Sequence, residues 1–300
     1  MKPQSLISLI LPATVLVNGQ CPNEIFPAYA MIPILKSKLM QVIENKKLLD
    51  LPTQDFPTGF PAGSTQSDYH PIWCSIGYQN DIRQIFLSIN WLLQASCAVP
   101  YVDCTGNGDA CNYPIFNALG GENKQINPGL VPTTVATILG TPVLIGEFDP
   151  PNAAYKQPTP GRYSSTVQNA FLFGITNFIS GPSFLGKLMD MRWQSLPPDQ
   201  QPKYSLRAWK HIINLPLYLT YYKTCARNNY YTNSTFNEIV SRVGSVTLYG
   251  KASLLNPFSG GLFSPINPAV ADSTGTIFEG VEVLQEFVGD VSGIGFALPL

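Results

Sequence analysis

Charge is scarce in this 300-residue chain. Asp, Glu, Lys and Arg make up 12% of it, and the formal net charge is −1. An electrostatic nucleic-acid binder needs a basic patch to neutralise phosphates, so no nucleic acid is expected as a partner. Histidine is nearly missing: the chain has 2, His70 and His211. No C-x-x-C pair occurs, so the usual zinc spacings are absent and no metal is expected. No G-x-S-x-G elbow occurs either, which removes the common secreted serine-hydrolase signature. Beyond the N-terminus no apolar run approaches the roughly 20 residues of a membrane helix, so no membrane span is expected in the mature protein. There is no internal repeat and no low-complexity segment, and nothing calls for a cofactor.

What is present points to the secretory pathway. Lys2 followed by the apolar run Leu6 to Val17 and the small residues Val17-Asn-Gly19 reads as a signal peptide over residues 1–19. Residues 20–300 then form a single secreted globular domain. Cys21, Cys74, Cys97, Cys104, Cys111 and Cys225 all survive cleavage. Six is an even number in an oxidising compartment, so disulfides are expected. Spacing alone cannot choose the pairing, although the short turn between Cys104 and Cys111 makes that pair a natural one. Asn233-Ser-Thr235 is a glycosylation sequon and makes Asn233 a candidate site.

The stretch from Tyr69 to Cys111 holds one histidine and four cysteines. From Asn80 to Ala98 the apolar residues Ile82, Ile85, Phe86, Ile89, Leu92 and Leu93 fall at steps of three and four. That spacing predicts a buried central helix. Leu35, Leu39 and Val42 predict a surface helix over residues 34–49. Thr141 to Asp149 alternates as a strand, with Val143, Ile145, Glu147 and Asp149 on one side. Ser164 to Ile179 fits either a helix or a strand. A helix is expected from Ser183 to Leu196, and another helical stretch from Tyr204 to Cys225 that Pro216 kinks or breaks. Thr235-x-x-Glu238 reads as a capping box for a short helix to Val243. Val246 to Leu255 and Thr276 to Val288 are candidate strands. The fold class expected is α+β: buried central helices, with a β-sheet built from residues near 142–149 and from the C-terminal third.

Few residues could carry chemistry. Glu147 and Asp149 would lie roughly 7 Å apart on one strand face, two rises along. Carboxylates that differ in burial can separate into an acid and a base. His70, in Asp68-Tyr-His-Pro71, is a third catalytic candidate, because an imidazole transfers protons near neutral pH. His211 sits in an apolar helical pattern and reads as a core histidine. The loop from Asp103 to Asp109 places Asp103, Thr105, Asn107 and Asp109 at alternate positions, as calcium ligands would be. Pro114, however, stands where the twelfth-position Glu is needed. Tyr218, Tyr221, Tyr222, Tyr230 and Tyr231 form an aromatic-rich stretch.

Asp149-Pro-Pro-Asn-Ala153 resembles the Asp-Pro-Asp-x-Pro stretch of phosphatidylethanolamine-binding proteins over about five residues. Pro151 replaces the second Asp, and the family's later His-Arg-Tyr segment has no counterpart. The resemblance implies only that Asp149 would wall an anion pocket. Two functions follow as expectations. One is a secreted small-molecule enzyme using carboxylate and histidine acid–base chemistry on a largely apolar substrate. The other is a secreted binding or structural protein with an apolar, aromatic pocket or surface.

Overall fold

A computed structural model describes residues 23–44, 46–56, 68–84, 87–121, 129, 133, 143–169, 187–219, 223–232, 239–248 and 274–290. In chain order the elements are β1 (Asn23–Leu35), α1 (Lys36–Val42), β2 (Lys47–Leu48), β3 (Tyr69–Gln84), β4 (Leu87–Asp103), β5 (Ala110–Gly120), β6 (Leu144–Asp149), β7 (Lys156–Thr159), β8 (Arg162–Asn169), β9 (Lys187–Ser195), α2 (Leu206–Ile213), β10 (Leu217–Leu219), β11 (Thr224–Thr232), β12 (Val240–Leu248) and β13 (Thr274–Asp290). The strands form a 13-stranded sheet. Its pairings run β4–β5–β6–β8–β9–β12–β13–β1–β3 and return to β4. The result is a nearly closed, barrel-like sheet. Most neighbours are antiparallel; β5 pairs in parallel with β6 and with β10.

The α+β expectation is therefore wrong: the fold is mostly β, with two short helices among the described residues. The expected central helix from Asn80 to Ala98 is instead the β3–β4 hairpin, where Asn80 faces Trp91 and Gln84 faces Leu87. The cause is the side-chain period. Leu93, Ala95, Cys97 and Val99 point into the core, while Gln94, Ser96 and Ala98 lie on the other face. That alternation fits a pleated strand, and long-range pairing overrides the three-and-four spacing nearer the turn.

The same error falls on Ser183 to Leu196. In β9, Met189, Met191 and Trp193 are buried and Arg192 is exposed, so the period is two. The helix expected up to Val243 gives way to β12 from Val240; its capping box lies outside the described residues. The helix expected over 34–49 shrinks to α1, Lys36–Val42, which buries Leu39 and Val42, while 34–35 and 47–48 are strand. β6 lies in the expected strand, and β13 covers Thr276 to Val288.

Alternation gives the barrel an apolar inside. Ala28, Ala30, Ile32 and Ile34 of β1 meet Ile72, Cys74 and Ile76 of β3, with Phe148, Val167, Met189 and Val246 from the other strands. Each fully buried aliphatic side chain contributes about 1.5–3 kcal/mol. In β5 a register shift after Ala98 moves the inward set from Tyr113 and Ile115 to Phe116 and Ala118.

The outward face of β6, β8 and β9 is polar. Glu147 faces Gln168, and Asp149, Thr166 and Asp190 follow one another across three strands. No helix among the described residues is long and apolar enough to cross a membrane.

α2 covers the outer face of β1, β3 and β4. Ser205 caps its start, the hydroxyl accepting from the Ala208 N–H at 3.1 Å. Ala208, Trp209, Ile212 and Ile213 are its buried residues. The Trp209 ring meets Tyr29 edge-on at 5.3 Å. Asn112 ties the helix end to the sheet. Its amide donates to the carbonyls of Ile212 at 2.8 Å and Leu215 at 3.2 Å, and its oxygen accepts from the Trp73 indole at 2.9 Å. Helix-end carbonyls otherwise lack partners. Of the helical stretch expected from Tyr204 to Cys225, only Leu206–Ile213 is helix; past Pro216 the chain turns to strand, with β10 beginning at Leu217 and β11 at Thr224.

Candidate active site

The solvent side of α2 carries Arg207 and His211, one turn apart and so on one face. Opposite them, the turn after Leu51 carries Asp55. It is closed by the N–H groups of Asp55 and Phe56, both donating to the Pro52 carbonyl. The apolar neighbours Leu51 and Phe56 pack against Tyr101, Tyr204 and the inner face of α2. This packing holds the Asp55 carboxylate at 0% exposure.

Asp55 Oδ2 lies 2.5 Å from His211 Nδ1. Arg207 Nε lies 3.0 Å from Oδ1, an ion pair without hydrogen-bond alignment. The imidazole is 55% exposed. A carboxylate on Nδ1 fixes the tautomer and leaves Nε2 to exchange a proton.

Tyr101 adjoins this group. Its backbone is left-handed, with φ +54°, a conformation that costs a non-glycine residue of order 1–3 kcal/mol. Burial, and then the charge of Asp55, push its hydroxyl up to about 12. The Tyr101 phenol therefore stays protonated at neutral pH. Burial also raises Tyr204 well above its ordinary value.

The residues singled out from the sequence do not converge here. His70 lies on the core-facing side of β3, at 0% exposure. Its Nε2 donates to the Pro100 carbonyl at 2.6 Å. Burial pushes its pKa down to about 4, opposed by that hydrogen bond and aided by Lys36. It is a neutral histidine within the barrel wall.

Glu147 and Asp149 are on the outward side of β6, as the alternation predicts. Each has its own partner: the Gln168 amide donates to Glu147 at 2.5 Å, and Lys156 meets the exposed Asp149 at 2.5 Å. His70 and this pair thus occupy opposite faces of the sheet.

The 103–109 loop is folded on its own oxygens. Asp103 accepts from the N–H groups of Gly106 and Gly108, Asn107 accepts from Thr105 and Asp109, and Asp109 accepts from the Asn107 amide.

Cys74 with Cys97, and Cys104 with Cys111, stand at disulfide distance. Cys225 is buried close to the second pair. Cys21 and Asn233 lie outside the described residues, as do Tyr221 and Tyr222. Tyr218 stacks on Tyr113 at 5.6 Å.

No protein-family model matches the chain, and no curated protein matches it. The phosphatidylethanolamine-binding resemblance around Asp149 thus gains no support. Nothing local in the sequence marks Asp55, and the apolar pattern around His211 reads as core. The apolar run around His211 hid an imidazole on the helix's polar face. The available signal was the spacing Arg207-x-x-x-His211 opposite Trp209 and Ile213.

Proposed function

We propose that the protein is a secreted enzyme that works on a small molecule by acid–base chemistry, with His211 as the proton-transfer residue and Asp55 as the residue that positions it. One observation carries the reading: a fully buried carboxylate holds the inner nitrogen of an imidazole that is more than half exposed. Arg207 beside it supplies a cation for a developing negative charge. The strained backbone of Tyr101 supports the same place, because such strain persists where surrounding structure holds a site in shape. Secretion, cleavage after residue 19 and glycosylation at Asn233 belong to this proposal. Two cysteine pairs at bonding distance agree with an oxidising lumen.

A second reading rests on a different feature of the same contacts. Arg207 and His211 both grip Asp55, and so clamp the 51–56 turn onto α2. A binding or structural protein would need no more than that.

A substrate screen with chromogenic esters, amides and glycosides separates the two. For an activity so found, His211→Gln should lower kcat by about 10²–10⁴-fold with the melting temperature preserved. An unchanged kcat would leave the clamp as the role of these residues.

A further inference from the structure

Aromatic side chains gather at one end of the barrel. Strand register brings Tyr78 of β3 and Trp91 of β4 to that end, together with Tyr163 of β8, Trp193 of β9 and Arg242 of β12. The connection from β6 to β7 crosses between them. Its Ala154 N–H donates to the Tyr78 hydroxyl oxygen at 3.0 Å. Its Tyr155 ring lies 5.1 Å from the Trp193 ring and 5.4 Å from the Tyr163 ring. Tyr163 and Trp193 stack on each other at 5.8 Å, and Tyr78 meets Trp91 edge-on at 5.9 Å. The Arg242 guanidinium lies 5.6 Å from the Tyr163 ring centre and donates to the Ser195 hydroxyl at 2.8 Å. Tyr78, Tyr155 and Tyr163 are half-buried against the barrel core, and Trp91 is 40% exposed. The aromatic belt therefore runs from solvent into the barrel.

Two buried polar groups on this wall lack a hydrogen-bond partner among the described residues: the Trp193 indole N–H and the Ser165 hydroxyl. Ser165 shares the inward face of β8 with Tyr163 and Val167, one step deeper than Tyr163. It pairs with Met191, so Trp193 is its diagonal neighbour, roughly 7–8 Å away at the backbone. Buried polar groups are ordinarily hydrogen-bonded. An indole N–H can only donate, so the partner it calls for is an acceptor. A barrel mouth lined by aromatic rings with a few such polar groups has the make-up of a small-molecule site.

We propose that this mouth binds a small, flat, apolar molecule that carries one acceptor oxygen. The ligand's ring takes the place of the Tyr155 ring against Trp193 and Tyr163. Its oxygen accepts from the Trp193 N–H, with the Ser165 hydroxyl as a second donor. Tyr155 belongs to a connection and not to the barrel wall, so it can give way while the strands stay in place. The site is separate from Asp55 and His211, which lie on the outer side with α2, and it requires no proton transfer by His211.

The test is equilibrium dialysis of the intact protein against acetylnaphthalene, which carries a carbonyl oxygen, and ethylnaphthalene, which has nearly the same shape without it. Wild type should bind acetylnaphthalene saturably at a single site. Trp193→Phe keeps a ring and removes the donor, so it should weaken acetylnaphthalene about tenfold relative to ethylnaphthalene, the worth of one hydrogen bond. Tyr155→Ala should tighten both probes, because no ring has to leave first. Three outcomes would overturn the proposal. The first is no saturable binding to wild type or to Tyr155→Ala, which would leave water as the partner of the two polar groups. The second is an equal weakening of both probes by Trp193→Phe. The third is a Tyr155→Ala variant that binds neither probe more tightly than wild type, and this arm decides the matter if Trp193→Phe fails to fold.

Discussion

Asp55 and His211 are 156 positions apart in the chain and 2.5 Å apart at Oδ2 and Nδ1. The carboxylate is buried, whereas the imidazole and Arg207 are mostly exposed. Removing the buried member and removing an exposed member should therefore differ in cost. Asp55→Ala strips the turn of its anchor and should destabilise by about 1–3 kcal/mol. Arg207→Ala removes an exposed, screened partner and should cost roughly 0–1 kcal/mol. Urea denaturation of the two variants checks the order, and equal costs would show that the buried carboxylate does not hold the turn.

Cys74 and Cys97 face each other across β3 and β4, with Cα atoms 4.1 Å apart and 23 residues of separation. Both side chains lie in the barrel core. A bond here restricts the unfolded chain, and the gain for such a loop is about 2–4 kcal/mol. The Cys74→Ala, Cys97→Ala double variant should lose that amount in urea while keeping its strand signal in far-ultraviolet circular dichroism. Peptide mapping that found Cys74 bonded elsewhere would refute the pairing.

Some of this fold could be read from residues and some could not. β6 and β13 were legible because period two runs through them without a competitor. α1 and the Pro216 break were legible for local reasons as well. The β3–β4 hairpin was not. Ile82, Ile89, Leu92 and Leu93 span two strands and their turn, and together they imitate one helical stripe. Lys187 to Ser195 was misread although Met189, Met191 and Trp193 alternate with Asp190 and Arg192. Barrel closure was beyond reach, because it depends on β4 meeting β5 while β1 meets β13, and pairing partners leave no local mark. The site shows the same division. Residue type flagged His70 and His211, but only burial shows that His70 faces the core and that His211 meets water. Asp55 looked like one loop carboxylate among several until the fold placed it under α2.

Gly120 and Gly146 face each other where β5 and β6 run parallel. A Cβ on Gly120 would stand 2.0 Å from the Gly146 carbonyl oxygen and 3.0 Å from Phe148 Cε2. The first obstacle is backbone, which cannot swing aside. Gly120→Ala should therefore cost about 1–3 kcal/mol or more by overpacking, and thermal melts will show it. A melt that matched wild type would mean that the two strands are not so closely apposed.

The 103–109 loop should not bind calcium tightly. Its oxygens already accept N–H and O–H groups of the loop itself, and Pro114 stands where a bidentate carboxylate is required. Calorimetry should give no dissociation constant below about 10 μM, the weak end of the sensor range.

The strongest pH effect expected comes from His70. In the unfolded chain its imidazole takes a proton near pH 6.5; in the folded barrel it refuses one until about pH 4. Desolvation is the main cause, because no water reaches the ring to solvate an imidazolium. Between these two values the unfolded state binds more protons than the folded state, so stability rises with pH across the window. His70's contribution is whole above about pH 6.5, declines as the pH falls, and has gone by about pH 4. The full decline is roughly 3 kcal/mol, taking about 1.4 kcal/mol for each unit of pH across the window. His70→Gln keeps an N–H for the Pro100 carbonyl but cannot titrate. Its stability at neutral pH should be lower, since the amide fits the ring's place poorly. Its slope between pH 4 and 6.5 should nonetheless be shallower than that of wild type, whatever other groups titrate in both. Urea titrations at half-unit steps give the two slopes, and parallel curves would mean that His70 is not the group that destabilises the barrel in acid.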